Sequence, residues 1–526
     1  SGAGVSVYNG TDVTVNSGDF FNRPQGIFGV FVTENETIPF VKALDKCSTA
    51  QYRAEFFKDK AEHTAKCTDI RLKMKTNVLS RHDCELREFT VENLSRKKPL
   101  EGNVIIYFEP CIEKREAYAA HPMFSKLFLV DEWDEENRCF LFSRRSSASE
   151  STYALAVGML NCDESSHESS RESVLRSPYG IFSLGSISNF EGRRGNPDCC
   201  CAFSVKVNLE PGQKISFTLA VCLGESKENV LDTLITVRAR KNIKKTAENP
   251  FYSALPENRI ASRILPLALS SPCCGEVVVD ERSIYRKKDL WSFGISGENP
   301  IITVRIDGED EVGLVVPYIR INKKLRNYGI KTDLTIVFDK EDKYTLPITS
   351  ALKSEAEKEA CGLMIGVGGG LHFVELSKHC YAEITSLKKS SVFFVKAGEF
   401  VLSAPKERFK PLRFIEKTDK KSLSQNNGNV KQYNFTNGKI SIKKSPESLD
   451  IPWTMVYANQ NFGTMVSDKA LGFTWHINSR ENKLTPWYND LMSDNRGELL
   501  VLKYNNVLYD LISIGEVEFT PHFAVW

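Results

Sequence analysis

Hydrophobic positions alternate with period two over most of the first 224 residues. The clearest run is Phe203, Val205, Val207 and Leu209, then Pro211-Gly212, then Ile215, Phe217, Leu219 and Val221. Strict alternation on both sides of a Pro-Gly turn predicts a half-buried antiparallel pair with one face on a core. Leu86 to Val91 and Val104 to Phe108 read as further strands, joined through the turn-rich Asn93-Leu94-Ser95. Many short strands without helical pattern between them predict a sandwich over 1–224.

After Glu225 the period changes. Val230, Leu231, Leu234, Ile235 and Val237 recur at helical spacing, as do Ile260, Ile264 and Leu265 before Pro266. Residues 225–330 are therefore expected to be a short helical segment. Val312 to Tyr328 is a candidate amphipathic helix within it. Residues 331–405 alternate strand and helix, with apolar runs at Leu334 to Phe338, Leu363 to Val367 and Val392 to Val395. A small α/β insert is the expectation there. Its Gly366-Val367-Gly368-Gly369-Gly370 fits neither the Walker nor the dinucleotide spacing and reads as a turn. Residues 406–431, rich in Lys, Ser, Asn and Gln, read as a linker, and 432–526 return to strand patterns.

The 69 basic and 67 acidic residues leave a net charge of +2, which points away from an electrostatic nucleic-acid or membrane partner and suits a neutral glycan. No apolar run approaches membrane-spanning length. Ser1 in place of Met reads as a trimmed or processed chain. The 14 cysteines include Cys199-Cys200-Cys201 and Cys273-Cys274, adjacent runs that lack metal-ligand spacing and suit buried small hydrophobes. Reduced thiols imply a cytoplasmic setting, in which the sequons at Asn9, Asn35, Asn93 and Asn434 mean little.

The candidate chemistry concentrates between Gly472 and Glu498. Trp475, Trp487 and Tyr488 stand there among Asn478, Arg480, Glu481, Asn482, Asn489, Asp490 and Asp494. Aromatic faces beside amides, a guanidinium and carboxylates are what a sugar ring requires, its C–H face on the ring and its hydroxyls on fixed polar groups. A well-ordered structural loop is the alternative reading of the same residues.

The stretch NSRENKLTPWYND followed by SDxxGE, preceded by PWTMVYANQNFGTMVSDKALGFTW, resembles the β-supersandwich region of glycoside hydrolase family 94, formerly glycosyltransferase family 36. The resemblance is to its long members acting on β-1,2-glucan: oligoglucan phosphorylases and the C-terminal part of cyclic glucan synthases. Glu109, His121, Pro122, Phe124 and Lys126 match a second family segment. Glu168, Arg171 and Arg176 match a third, beside a Ser-rich stretch, Ser165 to Ser173, expected on the surface. His121 is expected to orient a loop rather than act as a base. LWSFGISGENPI resembles a further signature, with Trp291, Gly294 and Gly297 as packing and turn residues and Asp289 and Glu298 as candidates to face a cleft. Tyr433 to Gly438 stands where the family has a glycine-rich turn, but lacks its second glycine pair.

The resemblance implies a mainly β architecture: an antiparallel β-supersandwich at 1–224 that begins mid-domain, and a reduced barrel relic at 225–330. The small α/β insert (331–405), the linker (406–431) and the start of a second, truncated β-supersandwich (432–526) follow. Faint echoes between Ser1 to Val15 and the 469–485 region suggest a duplication whose first copy lost the aromatic and guanidinium loop.

For function, the resemblance implies an inverting phosphorylase of β-1,2-glucooligosaccharides that uses inorganic phosphate as co-substrate, with no cofactor or metal. The family's catalytic acid is an aspartate in a helical barrel beyond this region, so no catalytic residue is assigned here and the chain is expected to be non-catalytic. Arg480, Asn482, Trp487, Asn489 and Asp490 are the candidate substrate-binding residues. The expected partners are a β-glucan oligosaccharide, the C-terminal α-helical barrel of the same parent protein and, left open, a second copy. A carbohydrate-binding or scaffold module without catalysis is one alternative. The chain-length-controlling region of a cyclic β-1,2-glucan synthase is the other.

Overall fold

The computed structural model describes residues 4–16, 24–45, 50–145, 153–162, 164–175, 180–195, 197–239, 246–247, 260–261, 264, 286–327, 330–398, 432–436, 438–443, 453–468, 471–487, 489–490, 492, 497–498, 500–504, 507–511 and 516–526. They fall into two compact units. One is Ser1–Glu248 with Leu412–Trp526, the other Asn249–Pro411.

The first unit opens with β1 (Val7–Tyr8), β2 (Thr11–Thr14), β3 (Phe28–Val32), β4 (Thr37–Pro39), β5 (Gln51–Phe56) and β6 (Ala61–Lys66). Then come β7 (Ile70–Val78), β8 (Cys84–Asn93), β9 (Leu100–Phe108), β10 (Pro110–Lys114), and the short helices α1 (Arg115–Ala120) and α2 (Pro122–Lys126). Next are β11 (Leu129–Asp134), β12 (Cys139–Arg144), β13 (Ala154–Met159), β14 (Ser165–Ser170) and the turn of helix α3 (Arg171–Val174). β15 (Cys199–Leu209), β16 (Lys214–Gly224) and helix α4 (Lys227–Ala239) close the run. Eight strands form one antiparallel sheet, in the order β11-β12-β13-β16-β8-β7-β6-β5, and five form another, β14-β15-β9-β3-β4. Met74, Phe89, Phe140, Leu219 and Val221 of the first interdigitate with Phe28, Val30, Ile106, Phe203 and Val205 of the second in one core. The expected sandwich is there.

The connections inside it differ from the pattern reading. β15 and β16 do not pair with each other. β15 bonds to β9 and β14, and β16 to β8 and β13, so Pro211-Gly212 carries the chain from one sheet to the other. Asn93-Leu94-Ser95 makes the same crossing from β8 to β9. Period-two alternation reports which face is buried, and a hairpin and an arch share it. Asn93, almost fully buried, staples both arches. Its Nδ2 donates to Lys98 O (2.9 Å) and Leu209 O (3.1 Å), its amide to Gln213 O, and its carbonyl accepts from Gly212 N. Replacing Asn93 by Ala leaves the buried Leu209 carbonyl and the part-buried Lys98 carbonyl without that donor, and a loss of about 1–3 kcal/mol in chemical denaturation is expected. The sequon at Asn93 is sealed by the same burial.

The outer face of the eight-stranded sheet is covered in part by α4. Val230, Leu234 and Val237 lie on Cys84, Cys139, Leu141, Ala156, Ala220 and Cys222. β13 is accordingly buried along its whole length. Period 3.6 identified the helix, but its partner is the sandwich. The Cys199-Cys200-Cys201 run is buried core, as small hydrophobes would be, and burial pushes the Cys199 thiol up to about 12. Ser165 to Ser170 is strand β14, with Glu168 and Ser169 buried, rather than a surface loop.

His63 of β6 adds a pH term. Burial, aided by Arg87, holds its imidazole down at about 4, and its Nδ1 is buried without a hydrogen-bond partner among the described residues. The unfolded chain takes up this proton near pH 6.5 and the folded one only near 4. Stability from this site is therefore full above pH 6.5 and lost as pH falls towards 4. Urea midpoints across that range should fall in the wild type, and less steeply in His63→Leu.

The second unit is a parallel sheet of β17 (Ile301–Arg305), β18 (Asp333–Phe338), β19 (Leu371–Glu375) and β20 (Ser391–Lys396), in the order β19-β18-β17-β20. Helices α5 (Val316–Asn327), α6 (Pro347–Lys358) and α7 (Tyr381–Ser390) connect the strands. β17 and α5 lie before residue 331, so the α/β body takes in sequence assigned to the helical relic. Its continuous apolar strands are those of a sheet covered on both faces. The Gly366 to Gly370 turn sits at the amino end of β19. Gly369 N donates to the buried Asp333 carboxylate (2.6 Å), and Arg326 donates to the carbonyls of Gly368 and Gly369. Ligands of such sheets bind at the carboxyl ends of strands, and this turn is a brace. Asp289 is buried and accepts from Ser386 Oγ (2.9 Å), whereas Trp291 is exposed and not a packing residue.

The C-terminal strands are β21 (Gln432–Thr436), β22 (Lys439–Lys443), β23 (Thr454–Ala458), β24 (Phe462–Ser467), β25 (Phe473–His476), β26 (Val501–Tyr504), β27 (Val507–Asp510), β28 (Glu516–Phe519) and β29 (Ala524–Val525). They form the sheets β21-β22-β28-β29 and β23-β24-β25 and the pair β26-β27. The reading of a separate, second sandwich meets a different partition here. These residues group with the first 248 in one compact unit, and Met492 is part of the main sandwich core.

Candidate functional site

The loop following β25 is built in two tiers. At its tip the Asn478 side chain caps the amides of Arg480 and Glu481 (2.9 and 3.0 Å), and Asn482 O accepts from His476 N. Arg480 and Asn482 are thereby held outward. Arg480 meets Glu481 at 3.2 Å, both well exposed. Nearer the sheet, Trp487 stacks on Phe473 with ring centroids 4.7 Å apart and planes 4° from parallel, and Phe473 leans on Trp475 at 5.0 Å. Lys483 Nζ donates to Trp487 O (3.1 Å). The Glu498 carboxylate accepts from Thr474 and Thr485 (2.5 and 2.8 Å), which locks both tiers to β25.

Two glycines of the motif are required by close backbone approach. A Cβ on Gly472, whose φ is +88°, would lie 1.9 Å from Met465 O, and one on Gly497 would lie 2.2 Å from Pro486 O. Asn489 takes a left-handed φ of +56° and then turns the chain inward.

Asp490 ends that turn in a buried charge cluster. Arg171, the N-terminal residue of α3, donates to both Asp490 oxygens (2.7 and 2.8 Å), to Asp198 (3.1 Å) and lies 3.1 Å from Glu109. Lys126, the last residue of α2, donates to Glu109 and Asp198, both at 2.8 Å, and Tyr107 Oη donates to Glu109 (3.0 Å). Burial and the Arg171 charge work against a charged Lys126, yet Asp198 and Glu109 outweigh them and its pKa is raised. Burial likewise opposes the Arg171 charge, and Asp490, Glu109 and Asp198 overcome it. Two cations and three carboxylates therefore form one ionised node. It ties residue 490 to α2, α3 and the end of β9.

The five candidate binding residues thus separate. Arg480 and Asn482 share the exposed tip, Trp487 and Asn489 stand below it, and Asp490 is turned away into the protein. A carboxylate gripped bidentately by a buried guanidinium fixes the loop. The sequence reading matched Glu109, Lys126 and Arg171 but gave them no joint role, named Glu498 only as the end of the motif, and missed Asp198. The signal for the node was the family match itself, which singled out Lys126 and Arg171 together with Glu109, the carboxylate that follows Tyr107-Phe108. Arg176, Tyr488 and Asp494 lie outside the described residues. His121 caps α2, its Nδ1 accepting from Phe124 N at 3.4 Å, in line with an orienting role.

The model of the glycosyl hydrolase 94 supersandwich domain matches residues 1–240 and 438–514, more than half of the chain and on both sides of the α/β unit. The chain belongs to glycosyl hydrolase family 94. The match takes in the charge node and the whole of the motif loop. The cyclic β-(1,2)-glucan synthase NdvB of Rhizobium meliloti (strain 1021) is 24% identical over 96% of this chain. The chain spans 19% of that protein's length. Among solved structures, a bacterial glucoamylase complexed with acarbose is 9% identical over 44% of this chain and 30% of its own, with a TM-score of 0.29. A putative kojibiose phosphorylase from the human microbiome is 14% identical over 45% and 28%, with a TM-score of 0.26. Among the described residues, no helix of this family 94 chain is long and apolar enough to cross a membrane.

Proposed function

We propose that this chain is the sandwich-side, non-catalytic portion of an inverting glycoside phosphorylase of β-1,2-glucooligosaccharides. The observation that carries the proposal is the family 94 match over both sandwich segments, with the outward-facing Arg480, Asn482 and Asn489 and the stacked Trp487 on the matched loop. In the reaction, inorganic phosphate attacks the anomeric carbon, and a carboxylic acid protonates the departing glycosidic oxygen. α-Glucose 1-phosphate leaves. The carboxylates of the node are each engaged by Arg171 or Lys126 rather than turned towards a substrate, which supports placing the acid in a helical barrel of the parent protein. Arg480 and Asn482 would meet sugar hydroxyls, Trp487 a sugar face, and Asp490 holds the loop. Ten described cysteines, among them Cys67, Cys84, Cys139, Cys199, Cys200 and Cys201, are free thiols, which favours a reducing, cytoplasmic setting.

Phosphate release from α-glucose 1-phosphate with sophorose as acceptor tests the non-catalytic part. The chain alone should release none above background, and release would place the acid within these residues.

A second reading has its own observation. The 24% identity to NdvB over nearly the whole chain favours the chain-length-controlling region of a cyclic β-1,2-glucan synthase. Shortened glucan rings from a synthase with Arg480 and Trp487 replaced would favour it over the phosphorylase. The outward tip beside an inward, structural Asp490 also suits a carbohydrate-binding or scaffold module without catalysis.

A further inference from the structure

Cys84 and Cys222 stand directly opposite each other where β8 and β16 pair. No other two described cysteines share a ladder position. The hydrogen-bond phase decides how close the two come. Leu223 N donates to Asp83 O (3.1 Å), and Cys84 O accepts from Leu79 N (2.9 Å) on the β7 side. Cys84 and Cys222 are therefore a non-hydrogen-bonded pair, in which Cα atoms approach to about 4.5 Å and side chains face each other most closely. That separation is within the span a disulfide bridges without backbone movement.

The thiols already meet. Cys84 Sγ donates to Glu85 O (3.6 Å), and the Cys222 thiol hydrogen-bonds to Cys84. Cys139, on β12, is too far to compete, because β13 stands between it and β16. Both thiols are buried on the sheet's outer face, beneath Val230, Leu234 and Val237 of α4. The hydrogen bond to Cys84, with burial, pushes the Cys222 thiol up, so the pair is unreactive while α4 is seated. α4 adds no strand to the sheet, and its lifting breaks no ladder bond. Such a segment opens at a lower free energy than the sheet beneath it.

We infer that Cys84 and Cys222 are an oxidation site, a latent cross-strand disulfide closed by a small disulfide oxidant when α4 lifts. One thiolate attacks the oxidant, releases half of it as a thiol and leaves a mixed disulfide. The second thiolate attacks the protein sulfur of that mixed disulfide and releases the other half. Two S–H bonds are lost and one S–S bond forms, and the two electrons reduce the oxidant to two thiols. The bridge ties together two neighbouring strands at the centre of the eight-stranded sheet.

The test is to incubate the whole folded chain with oxidised glutathione, alkylate the remaining thiols and map the unreduced peptides. A peptide linking Cys84 to Cys222 should appear, and dithiothreitol should abolish it. Cys222→Ala should leave Cys84 unlinked. Leu234→Ala, which loosens α4 without removing either thiol, should speed closure about tenfold or more. Absence of the linked peptide under native conditions overturns the inference, as does a link from either cysteine to Cys139. Closure in Leu234→Ala no faster than in the wild type also overturns it. If Cys222→Ala fails to fold, the linked peptide and the Leu234→Ala rate decide.

Discussion

Arg171→Met should destabilise the chain by about 3–5 kcal/mol, the largest effect of any single change proposed for it. The substitution keeps the length of the side chain and removes the guanidinium that grips Asp490 and Asp198 and lies against Glu109. Lys126 would still hold Glu109 and Asp198, but the buried Asp490 carboxylate would lose the guanidinium that grips both its oxygens and offsets its desolvation. The midpoint in guanidinium chloride should fall with little change in slope. Asp490→Asn should cost less, because Arg171 keeps Asp198 and Glu109. The pair also joins residues 319 apart in sequence. Its loss should therefore release the motif loop from α3 before the rest of the sandwich unfolds, visible as early loss of amide protection around His476 and Leu484. A uniform loss of protection across the unit would show that the node is not the tie.

Trp487→Ala should weaken β-1,2-glucooligosaccharide binding about tenfold or more, with a stability loss of only about 0.5–1.5 kcal/mol from the Phe473 stack. The difference between those magnitudes is the test. An aromatic face used by a sugar loses affinity out of proportion to stability, and one used for packing does the reverse. Arg480→Ala should weaken binding with no stability cost, since its one ion pair is exposed. Tyr8→Ala, in the segment read as a faint echo of this loop, should leave binding unchanged, and equal losses at Tyr8 and Trp487 in isothermal titration would remove the site assignment.

The sequence disclosed faces better than partners. Alternation at Phe203 to Val221 located two buried strand faces, yet the strands lie in opposite sheets, because nothing local separates a hairpin from an arch. Helical spacing at Val230 to Val237 found α4 but not the sandwich sheet beneath it. The run before residue 331 reads as a helical relic because β17 is five residues long and parallel, with partners 32 and 90–91 residues away. In the loop, the aromatic and amide composition was legible as chemistry, and Arg480 and Asn482 are presented outward as that reading needs. Asp490 looked the same in sequence as its neighbours. Its inward role is set by a left-handed Asn489 and by Arg171, and neither is visible in a local window.

The central claim is that this chain handles β-1,2-linked glucan, and calorimetric titration of the unsubstituted chain tests it most directly. β-1,2-Glucooligosaccharides should give saturable heat, and cello-oligosaccharides of equal length little or none. Absence of saturable heat with the β-1,2-linked series, or equal affinity for both linkages, would contradict the account.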